Sequence, residues 1–262
     1  MKIVVLEKQV PDSTEITVDK KTGALIRDGV PAITNPDDLA GLEAALELKD
    51  KNPDTEVVVM TMGLPKAAEM LKEGVAMGAD KGVLLTDRVL GGSDTCATSI
   101  ALAAALKKVG FDLVIAGRQA IDGDTAQVGP QISEHLGLPV ISYAEGIEID
   151  GDSVIVKRQF DDRYMMLKAK MPCLITALSE LNEPRYMTPG GIFDAYKKDI
   201  TVWGRKDLKD VLDSNLGLKG SPTQIAKASD KVRKGAGVKE TNLDPSAAAN
   251  YIVEKLTEKH VL

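Results

Sequence analysis

The stretch "AGRQAIDGDTAQVGPQISEHLGLP" (116–139) joins an apolar run to a helical pattern through a loop rich in glycine and aspartate. The run before the loop, "FDLVIAG" (111–117), is apolar almost throughout, as strands covered on both faces are. The helical pattern ends at Gly137, in the place where a left-handed C-cap favours glycine. The stretch therefore predicts a strand, an open loop and a helix, which is the repeating unit of an α/β fold.

The same unit recurs between the N-terminus and this stretch. Strand-like runs cover 2–6, 56–62, 82–86, 111–117 and 139–147, and helical patterns cover 37–51, 65–78, 95–110 and 125–137. Strands and helices that alternate at this spacing indicate βαβ units. We therefore predict an α/β protein with a parallel sheet and helices on both faces.

The pattern changes after residue 147. The runs "IEIDGDSVIVKRQF" and "YMMLKAKMPCLITAL" surround an Asp-Gly turn and predict an antiparallel extension of the sheet. From 203 to 244 the chain is rich in Lys, Gly and Ser, and a final helix follows, with Asp244 as N-cap and Pro245 at its first position. We therefore predict two domains: an α/β domain over 1–202, and an extended arm with a C-terminal helix over 203–262 that docks on a partner.

Composition argues against several classes of partner. Lys and Arg total 33 against 39 Asp and Glu, giving a net charge of −6, and aromatic residues make up only 3%. Proteins whose main partner is nucleic acid carry a basic surface with aromatic platforms, so we expect no nucleic-acid partner. The two cysteines and two histidines lack the spacing of zinc ligands, so we expect no metal site.

Membrane insertion is not expected either. The run "IALAAAL" (100–106) is the longest apolar one, far shorter than a membrane-spanning helix needs. The opening "MKIVVLEKQV" (1–10) has too few consecutive apolar residues for a signal peptide. We expect a cytoplasmic protein.

Three junctions between a strand and a helix could bind a phosphate group. They are "TMGLPKAA" (61–68), "GGSDTCAT" (91–98) and "GRQAIDGDTAQ" (117–127). In parallel sheets ligands bind beyond the carboxyl ends of the strands, where helix N-termini offer free backbone N–H groups. In the second junction, Asp94 or Ser93 can cap the helix, which leaves Thr95 and Thr98 for an anion. A well-capped helix with no ligand is the alternative.

The loop of the third junction could instead contain a catalytic carboxylate pair. Asp122 and Asp124 flank a glycine, but no histidine lies nearby to relay protons, so a nucleotide contact is favoured over acid–base catalysis. Asp124 and Gln127 have the spacing of a capping box. Pro130 allows two alternatives: a helix that kinks, or one that begins later, near Gly129.

Four motifs resemble those of one protein family. "GRQAIDGDTAQVGP" (117–130) resembles the signature of the electron transfer flavoprotein β subunit, and "LNEPRY" (181–186) resembles its loop that meets acyl-CoA dehydrogenases. "NPDD" (35–38) and "AMGAD" (76–80) fall where the family has similar motifs. The resemblance therefore extends through nearly the whole chain.

The resemblance implies a Rossmann-like, nucleotide α-hydrolase-like fold, an αβ heterodimer and a bound nucleotide. In one branch of the family the β subunit holds AMP; in the electron-bifurcating branch, which "GGSDT" (91–95) resembles, it holds FAD. The family's motifs place the nucleotide along Leu6, Asn35, Pro36, Asp37, Asp38, Met62, Gly63, Gly92, Ser93, Asp94, Thr95, Thr98, Gly117, Arg118, Gln119, Ala120, Ile121, Asp122, Gly123, Asp124, Thr125, Ala126, Gln127 and Val128.

The bifurcating branch also implies an activity. NADH would give a hydride to the FAD of this chain. One electron would then pass through the FAD of the α subunit to an acyl-CoA dehydrogenase, and the other to ferredoxin or flavodoxin. No catalytic side chain is required, because the flavin carries the redox chemistry. The loop that meets the dehydrogenase, called the docking loop below, would comprise Leu181, Asn182, Glu183, Pro184, Arg185 and Tyr186.

Three other interpretations compete with this one. The first is the AMP-binding branch, which shuttles electrons from acyl-CoA dehydrogenases without bifurcation. The second is an ATP-pyrophosphatase-type ligase, because "GGSDT" matches part of its pyrophosphate loop; Leu90 in place of the leading serine argues against it. The third is a universal-stress-type nucleotide module, which the long arm and "LNEPRY" argue against.

Overall fold

The computed structural model describes residues 1–12, 31–223, 226 and 235–262, in two compact units, Met1–Ala228 and Ser229–Leu262. The strands of the first unit are β1 (Lys2–Leu6), β2 (Gln9–Pro11), β3 (Ala32–Thr34), β4 (Glu56–Met62), β5 (Lys81–Leu85), β6 (Leu113–Gly117), β7 (Val140–Asp150), β8 (Ser153–Gln159), β9 (Tyr164–Lys170), β10 (Cys173–Ala177) and β11 (Thr201–Trp203). Its α-helices are α1 (Pro36–Lys51), α2 (Ala68–Met77), α3 (Thr95–Val109), α4 (Val128–Leu136) and α5 (Pro189–Lys197).

The described strands form one large sheet and a separate antiparallel pair of β2 and β3. The order in the large sheet is β11-β5-β4-β1-β6-β10-β7-β8-β9. Pairs from β11 to β7 are parallel, whereas β7, β8 and β9 pair antiparallel. The predicted α/β, Rossmann-like sheet with an antiparallel extension is confirmed.

The run "YMMLKAKMPCLITAL" does not form a single strand of that extension. Its first half is β9, which pairs with β8 at the edge, and its second half is β10, which lies between β6 and β7 in the parallel part. Every residue of β10 is buried, whereas those of β9 are largely exposed. An all-apolar segment such as "CLITA" is stable where helices cover both faces, which the edge does not provide.

The core lies in two layers, one on each face of the sheet. Alternate residues of β1 contribute to them: Ile3 and Val5 pack with α1 and α2, whereas Val4 and Leu6 pack with α3 and α4. Glycines with positive φ follow α2, α3 and α4, at Gly78, Gly110 and Gly137, as the helix-ending pattern predicts.

The strand order reverses beside β1. From β1 the chain builds β4 and β5 on one side, then returns to place β6 on the other side. In parallel sheets such a reversal opens a crevice beyond the carboxyl ends of the two strands, where ligands bind. β1 ends at Leu6 and β6 ends at Gly117, and the register of the two strands places these ends side by side. The crevice therefore lies beyond Leu6 and Gly117.

Residues just beyond the predicted domain boundary at 202 are folded within the first unit. β11 pairs with β5, and the side chains of Leu208, Val211 and Leu216 are buried in the layer that contains α3. The first unit therefore extends to Ala228, and includes the start of the predicted arm. Residues 224–225 and 227–234 of that arm lie outside the described residues, and its docking on a partner stays a prediction.

The second unit contains α6 (Pro245–Glu258). The carboxylate of Asp244 accepts hydrogen bonds from the N–H groups of Ser246 and Ala247, and Pro245 occupies the first turn, as predicted. Within the described ranges, no helix is both long enough and apolar enough to cross a membrane.

Candidate functional site

The segment before α1 binds the loop that follows β6. Asn35 is completely buried, and its side chain uses both polar atoms: Nδ2 donates to the Gln119 carbonyl at 2.8 Å, and Oδ1 accepts from the Ile121 N–H at 3.1 Å. The N–H and C=O groups of a loop lack the partners that a helix or a sheet provides, and here the Asn35 side chain supplies those hydrogen bonds. Asn35 therefore sets the path of the 117–128 loop.

Asp38 joins the carboxyl ends of the two strands at the crevice. One carboxylate oxygen accepts from the Lys8 N–H at 2.7 Å, just after β1, and the other accepts from the Gly117 N–H at 2.9 Å, at the end of β6. The acidic residue lies in the first turn of α1, where the helix dipole favours negative charge. The contact holds α1, β1 and β6 in one arrangement.

Asp37, also in the first turn of α1, contacts two other segments. Its Oδ1 accepts from the Ser179 N–H at 3.0 Å, and its Oδ2 lies 3.4 Å from Nε of Arg118. Neither that Oδ2 nor that Nε, both buried, has a hydrogen-bond partner in the described parts of the chain. The two atoms face each other as an ion pair whose geometry is not that of a hydrogen bond.

The two aspartates of the 117–128 loop have different partners. Asp122 pairs with Lys8 Nζ at 2.6 Å, and Asp124 Oδ1 accepts from Gln119 Nε2 at 2.9 Å. These contacts give each of the two carboxylates a separate partner with a hydrogen-bond donor. The geometry favours the structural and nucleotide-binding interpretations of the loop over acid–base catalysis.

The predicted capping box of Asp124 and Gln127 is wrong. Helix α4 begins at Val128, and Gln127 precedes it without a side-chain capping bond. Pro130 explains the late start: in the first turn a proline lacks only an N–H that would have no helical partner. Of the two alternatives, the later start is the one observed. The loop before it contains two non-glycine residues with positive φ, Asp124 (49°) and Ala126 (53°).

The turn before α3 has the predicted cap. Asp94 Oδ1 accepts from the Ala97 N–H at 3.0 Å, and its Oδ2 accepts from the Thr223 N–H at 2.9 Å. Partial burial raises the pKa of Asp94, but hydrogen bonds from Thr223 and Ala97 outweigh burial, so the pKa lies below its ordinary value. The carboxylate therefore faces N–H groups, as an aspartate beside a bound phosphate must.

We expect the Asp94→Ala variant to lose about 1 to 2 kcal/mol of unfolding free energy, because it removes a helix cap. It should also weaken nucleotide binding, since the start of α3 and the segment at Thr223 lose their common acceptor. Denaturant unfolding and a nucleotide titration would measure the two effects. Full nucleotide affinity in the variant would remove Asp94 from the binding residues.

The start of α3 and the 117–128 loop are in contact. The hydroxyl of Thr95 donates to Oε1 of Gln127 at 2.9 Å, across 32 residues of sequence. Both side chains are at least partly accessible. The second and third junctions predicted from sequence therefore lie together in the structure, and their role as one binding site stays a prediction.

The other predicted nucleotide-binding residues occupy the same edge. Leu6 ends β1 and Met62 ends the adjacent β4, and the N–H of Gly63, which follows β4, donates to the Leu85 carbonyl. In the turn before α3, Gly92 has φ of 75° and the Ser93 hydroxyl donates to the Leu90 carbonyl, while the Thr98 N–H donates to the Asp94 carbonyl. Of the remaining positions, Pro36 and Val128 are the first residues of α1 and α4, and Ala120, Gly123 and Thr125 lie within the loop.

Comparison with known proteins identifies the family. The electron transfer flavoprotein domain matches residues 22–208. The chain belongs to the electron transfer flavoprotein family. Over the full length of both chains, it is 52% identical to the caffeyl-CoA reductase-Etf complex subunit CarD of Acetobacterium woodii and 52% identical to the electron transfer flavoprotein subunit beta of Clostridium acetobutylicum. The acryloyl-CoA reductase electron transfer subunit gamma of Anaerotignum propionicum is 47% identical, again over both full lengths.

In this electron transfer flavoprotein chain the docking loop has two kinds of side chain. Asn182 and Arg185 turn toward α1: Asn182 Nδ2 donates to the Ala40 carbonyl at 3.0 Å, and Arg185 pairs with Glu43 and Asp50. Leu181 packs against the core. Tyr186, at 94% exposure, faces outward. Glu183 is exposed and Pro184 is partly buried.

Two buried carboxyl groups lie next to the crevice. Burial raises the pKa of Asp38 to about 7, against the opposing hydrogen bonds from Lys8 and Gly117. Glu7 is 5% exposed, neither of its oxygens has a hydrogen-bond partner among the described residues, and burial, Asp38 and Glu73 raise its pKa well above the ordinary value. Both groups therefore bind protons more tightly in the folded state than in the unfolded chain.

This difference makes stability depend on pH. A group whose pKa is raised by folding contributes stability that is present at low pH and is lost as pH rises through the folded-state pKa. For Asp38 the loss extends from about pH 4 to about pH 7. Glu7 adds a loss of the same sign above its own ordinary pKa.

The Glu7→Gln variant tests the sign. A neutral amide of the same shape removes the ionisation, so we expect the variant to unfold like the parent at about pH 4 and to be more stable than the parent at about pH 9. Denaturant unfolding at the two pH values measures the difference. A gain that is equal at both pH values would contradict the raised pKa of Glu7.

Several site residues were not identified from sequence. Lys8 and Ser179 each follow a strand, and their N–H groups donate to the first turn of α1. Their position just after a strand is the one feature of the sequence that could have identified them. Ser221 and Thr223 contact Asp94 from more than 120 residues away, and they lie in a segment whose composition predicts an extended, solvated arm. The sequence gives no local sign of such a contact.

Proposed function

We propose that this chain is the β subunit of a heterodimeric electron transfer flavoprotein of the electron-bifurcating type, acting in the cytoplasm. The observation that carries the proposal is the joined site: the N-terminus of α3 and the 117–128 loop meet through Thr95 and Gln127 at the strand reversal. This arrangement suits a dinucleotide, with a helix N-terminus for the diphosphate and a loop for the nucleoside.

The residues present fit FAD. Thr95 and Gln127, which join the start of α3 to the loop at 2.9 Å, are both at least partly accessible, and Asp37 and Arg118 form an ion pair at the start of the loop. Thr95 and Ser93 would lie at the diphosphate, and Asn35 and Asp38 would hold the loop around the nucleoside. When bound, FAD would accept a hydride from NADH and release its two electrons one at a time.

The chain's own residues would position the cofactor. Asn35 and Asp38 hold the loop, and Asp94 caps α3, so these groups orient a ligand and need not exchange protons with it. The names of two relatives refer to caffeyl-CoA and acryloyl-CoA reductase, which supports an acyl-CoA dehydrogenase or a related reductase as one electron acceptor. Ferredoxin or flavodoxin would be the other.

One observation favours AMP as the alternative ligand. Asp94 and Ser221 already use N–H groups at the start of α3: Asp94 accepts from Ala97, and the Asp94 N–H donates to the Ser221 hydroxyl at 2.8 Å. Fewer free donors remain there for a diphosphate. A β subunit with AMP would shuttle electrons from acyl-CoA dehydrogenases without bifurcation.

Anaerobic NADH oxidation by the heterodimer, co-expressed with its α subunit, separates the two. The assay contains the dehydrogenase with its acyl-CoA acceptor, and ferredoxin or flavodoxin. Bifurcation predicts rapid NADH oxidation only when both acceptors are present, with equal numbers of electrons reaching each. NADH oxidation that ignores the low-potential acceptor, or that does not occur, would contradict the proposal.

A further inference from the structure

The docking loop lies along one helix. Between residues 179 and 185, three groups donate to α1: the Ser179 N–H to Asp37 Oδ1 at 3.0 Å, the Asn182 amide to the Ala40 carbonyl at 3.0 Å, and Arg185 to Glu43. These partners lie on successive turns of α1. The loop therefore follows the same helix whose first turn holds the 117–128 loop.

Glu43 makes the strongest of these contacts. Its side chain is only 6% exposed, and its oxygens accept from the Arg185 backbone N–H at 2.9 Å, from Nε at 2.9 and 3.0 Å, and from one terminal guanidinium nitrogen at 2.9 Å. Asp50 accepts from the same terminal nitrogen at 2.7 Å. Two-point contacts between a guanidinium and a carboxylate restrict geometry as well as adding energy.

The side chains of Arg185 and Tyr186 have different surroundings. The hydrogen bonds from Arg185 to Glu43 and Asp50 raise the pKa of its guanidinium and use its Nε and one terminal nitrogen as donors. Tyr186, one residue later, is 94% exposed. Arg185 therefore faces the helix, and Tyr186 extends into solvent from the point at which the chain is held.

We propose that Glu43 is a positioning residue for partner docking: through Arg185 it holds the docking loop in the shape that presents Tyr186 to the partner dehydrogenase. This inference rests on the proposed function of the loop. Without the contact the loop would sample several conformations. The affinity for the partner would then fall in proportion to the fraction of molecules whose loop keeps the docking conformation. Electron transfer within the bound complex would not change.

The test is a double-mutant cycle in the heterodimer with the dehydrogenase as the varied component. We expect Glu43→Gln and Arg185→Ala each to raise the KM for the dehydrogenase by about tenfold at unchanged kcat. A tenfold rise corresponds to about a tenth of the molecules keeping the docking conformation of the loop. The double variant should be no worse than the worse single variant, because both changes remove one contact. FAD and AMP content should match the parent in all three.

Two outcomes would overturn the inference. One is a KM that rises in Arg185→Ala but not in Glu43→Gln, which would mean that Arg185 contacts the partner directly. The other is full additivity in the double variant. If Glu43→Gln is not soluble, Arg185→Lys serves instead: it keeps the charge but not the fork, so its KM should rise, and an unchanged KM would contradict the proposal.

The Tyr186→Ala variant separates this inference from the proposed function. A higher KM in Tyr186→Ala together with a parental KM in Glu43→Gln would refute the role of Glu43 alone. If neither Tyr186→Ala nor replacement of the whole docking loop changes transfer to the dehydrogenase, docking through this loop is refuted as well.

Discussion

Replacing Gly117 with alanine is expected to abolish nucleotide retention and to lower the unfolding free energy by about 3 kcal/mol. A Cβ at this position would overlap Oδ1 of Asp38 and lie 2.9 Å from both the Asp37 Cβ and the Asp38 backbone nitrogen. Backbone and buried side chains surround it, so the strain cannot relax into solvent, and overpacking of this kind costs about 1–3 kcal/mol. The Asp38 contact with the Gly117 N–H would be lost with it.

The matched control is Gly123→Ala. Gly123 lies in the same loop and does not have a positive φ, and a Cβ added to it would meet no atom within 4 Å among the described residues. We therefore expect a change in unfolding free energy within about 0.5 kcal/mol. Denaturant unfolding and mass spectrometry of the extracted nucleotide compare the two variants. Equal behaviour would show that the close approach of Gly117 to α1 does not organise the site.

Replacing Asp38 with alanine is expected to have the second largest effect. The change leaves the N–H groups of Lys8 and Gly117 without acceptors at the carboxyl ends of β1 and β6. Each lost acceptor of a charge-assisted bond costs about 1.5–3 kcal/mol, and removal of a carboxylate that burial already disfavours offsets part of this. We expect a net loss of about 2–4 kcal/mol and a nucleotide affinity about 100-fold lower.

Asp112→Ala is the control for that variant. Asp112 Oδ2 accepts from the Lys2 N–H at 2.7 Å, a similar contact at the opposite end of β1 and far from the crevice. Its loss should cost about 1 kcal/mol, because water can replace the acceptor there, and should not change nucleotide affinity. If the two variants lose the same affinity, Asp38 acts on general stability and does not shape the site.

The sequence predicted the parallel sheet well because buried parallel strands leave a local signal. Runs such as "KIVVL" and "EVVVMTM" are apolar at successive positions, and β1 and β4 form within a residue of the predicted bounds. The start of α4 was less certain, because Pro130 permits two outcomes. Its position in the first turn, which tertiary structure decides, selects the later start.

The contacts that shape the site could not be predicted in the same way. Ser221 and Thr223 approach Asp94 from a segment whose composition indicates solvation, and their burial depends on Leu208, Val211 and Leu216 packing against the sheet. Such packing depends on many weak contacts between segments distant in sequence, and no local pattern encodes it.

The docking loop shows the same limit. The motif "LNEPRY" identified the segment, but the motif does not say which of its side chains face the protein. That depends on Glu43 and Asp50, which lie more than 130 residues earlier and look like ordinary surface acids in a helix. Only their position on α1 beside the loop makes them partners of Arg185.

The nucleotide content of the heterodimer decides whether this chain holds a flavin. The chain is co-expressed with its α subunit, and FAD and AMP are extracted and counted by absorbance and mass spectrometry. Two FAD and no AMP for each heterodimer is the predicted result. One FAD and one AMP would contradict it, and would make the turn at Gly92–Thr95 part of an AMP site in a non-bifurcating carrier.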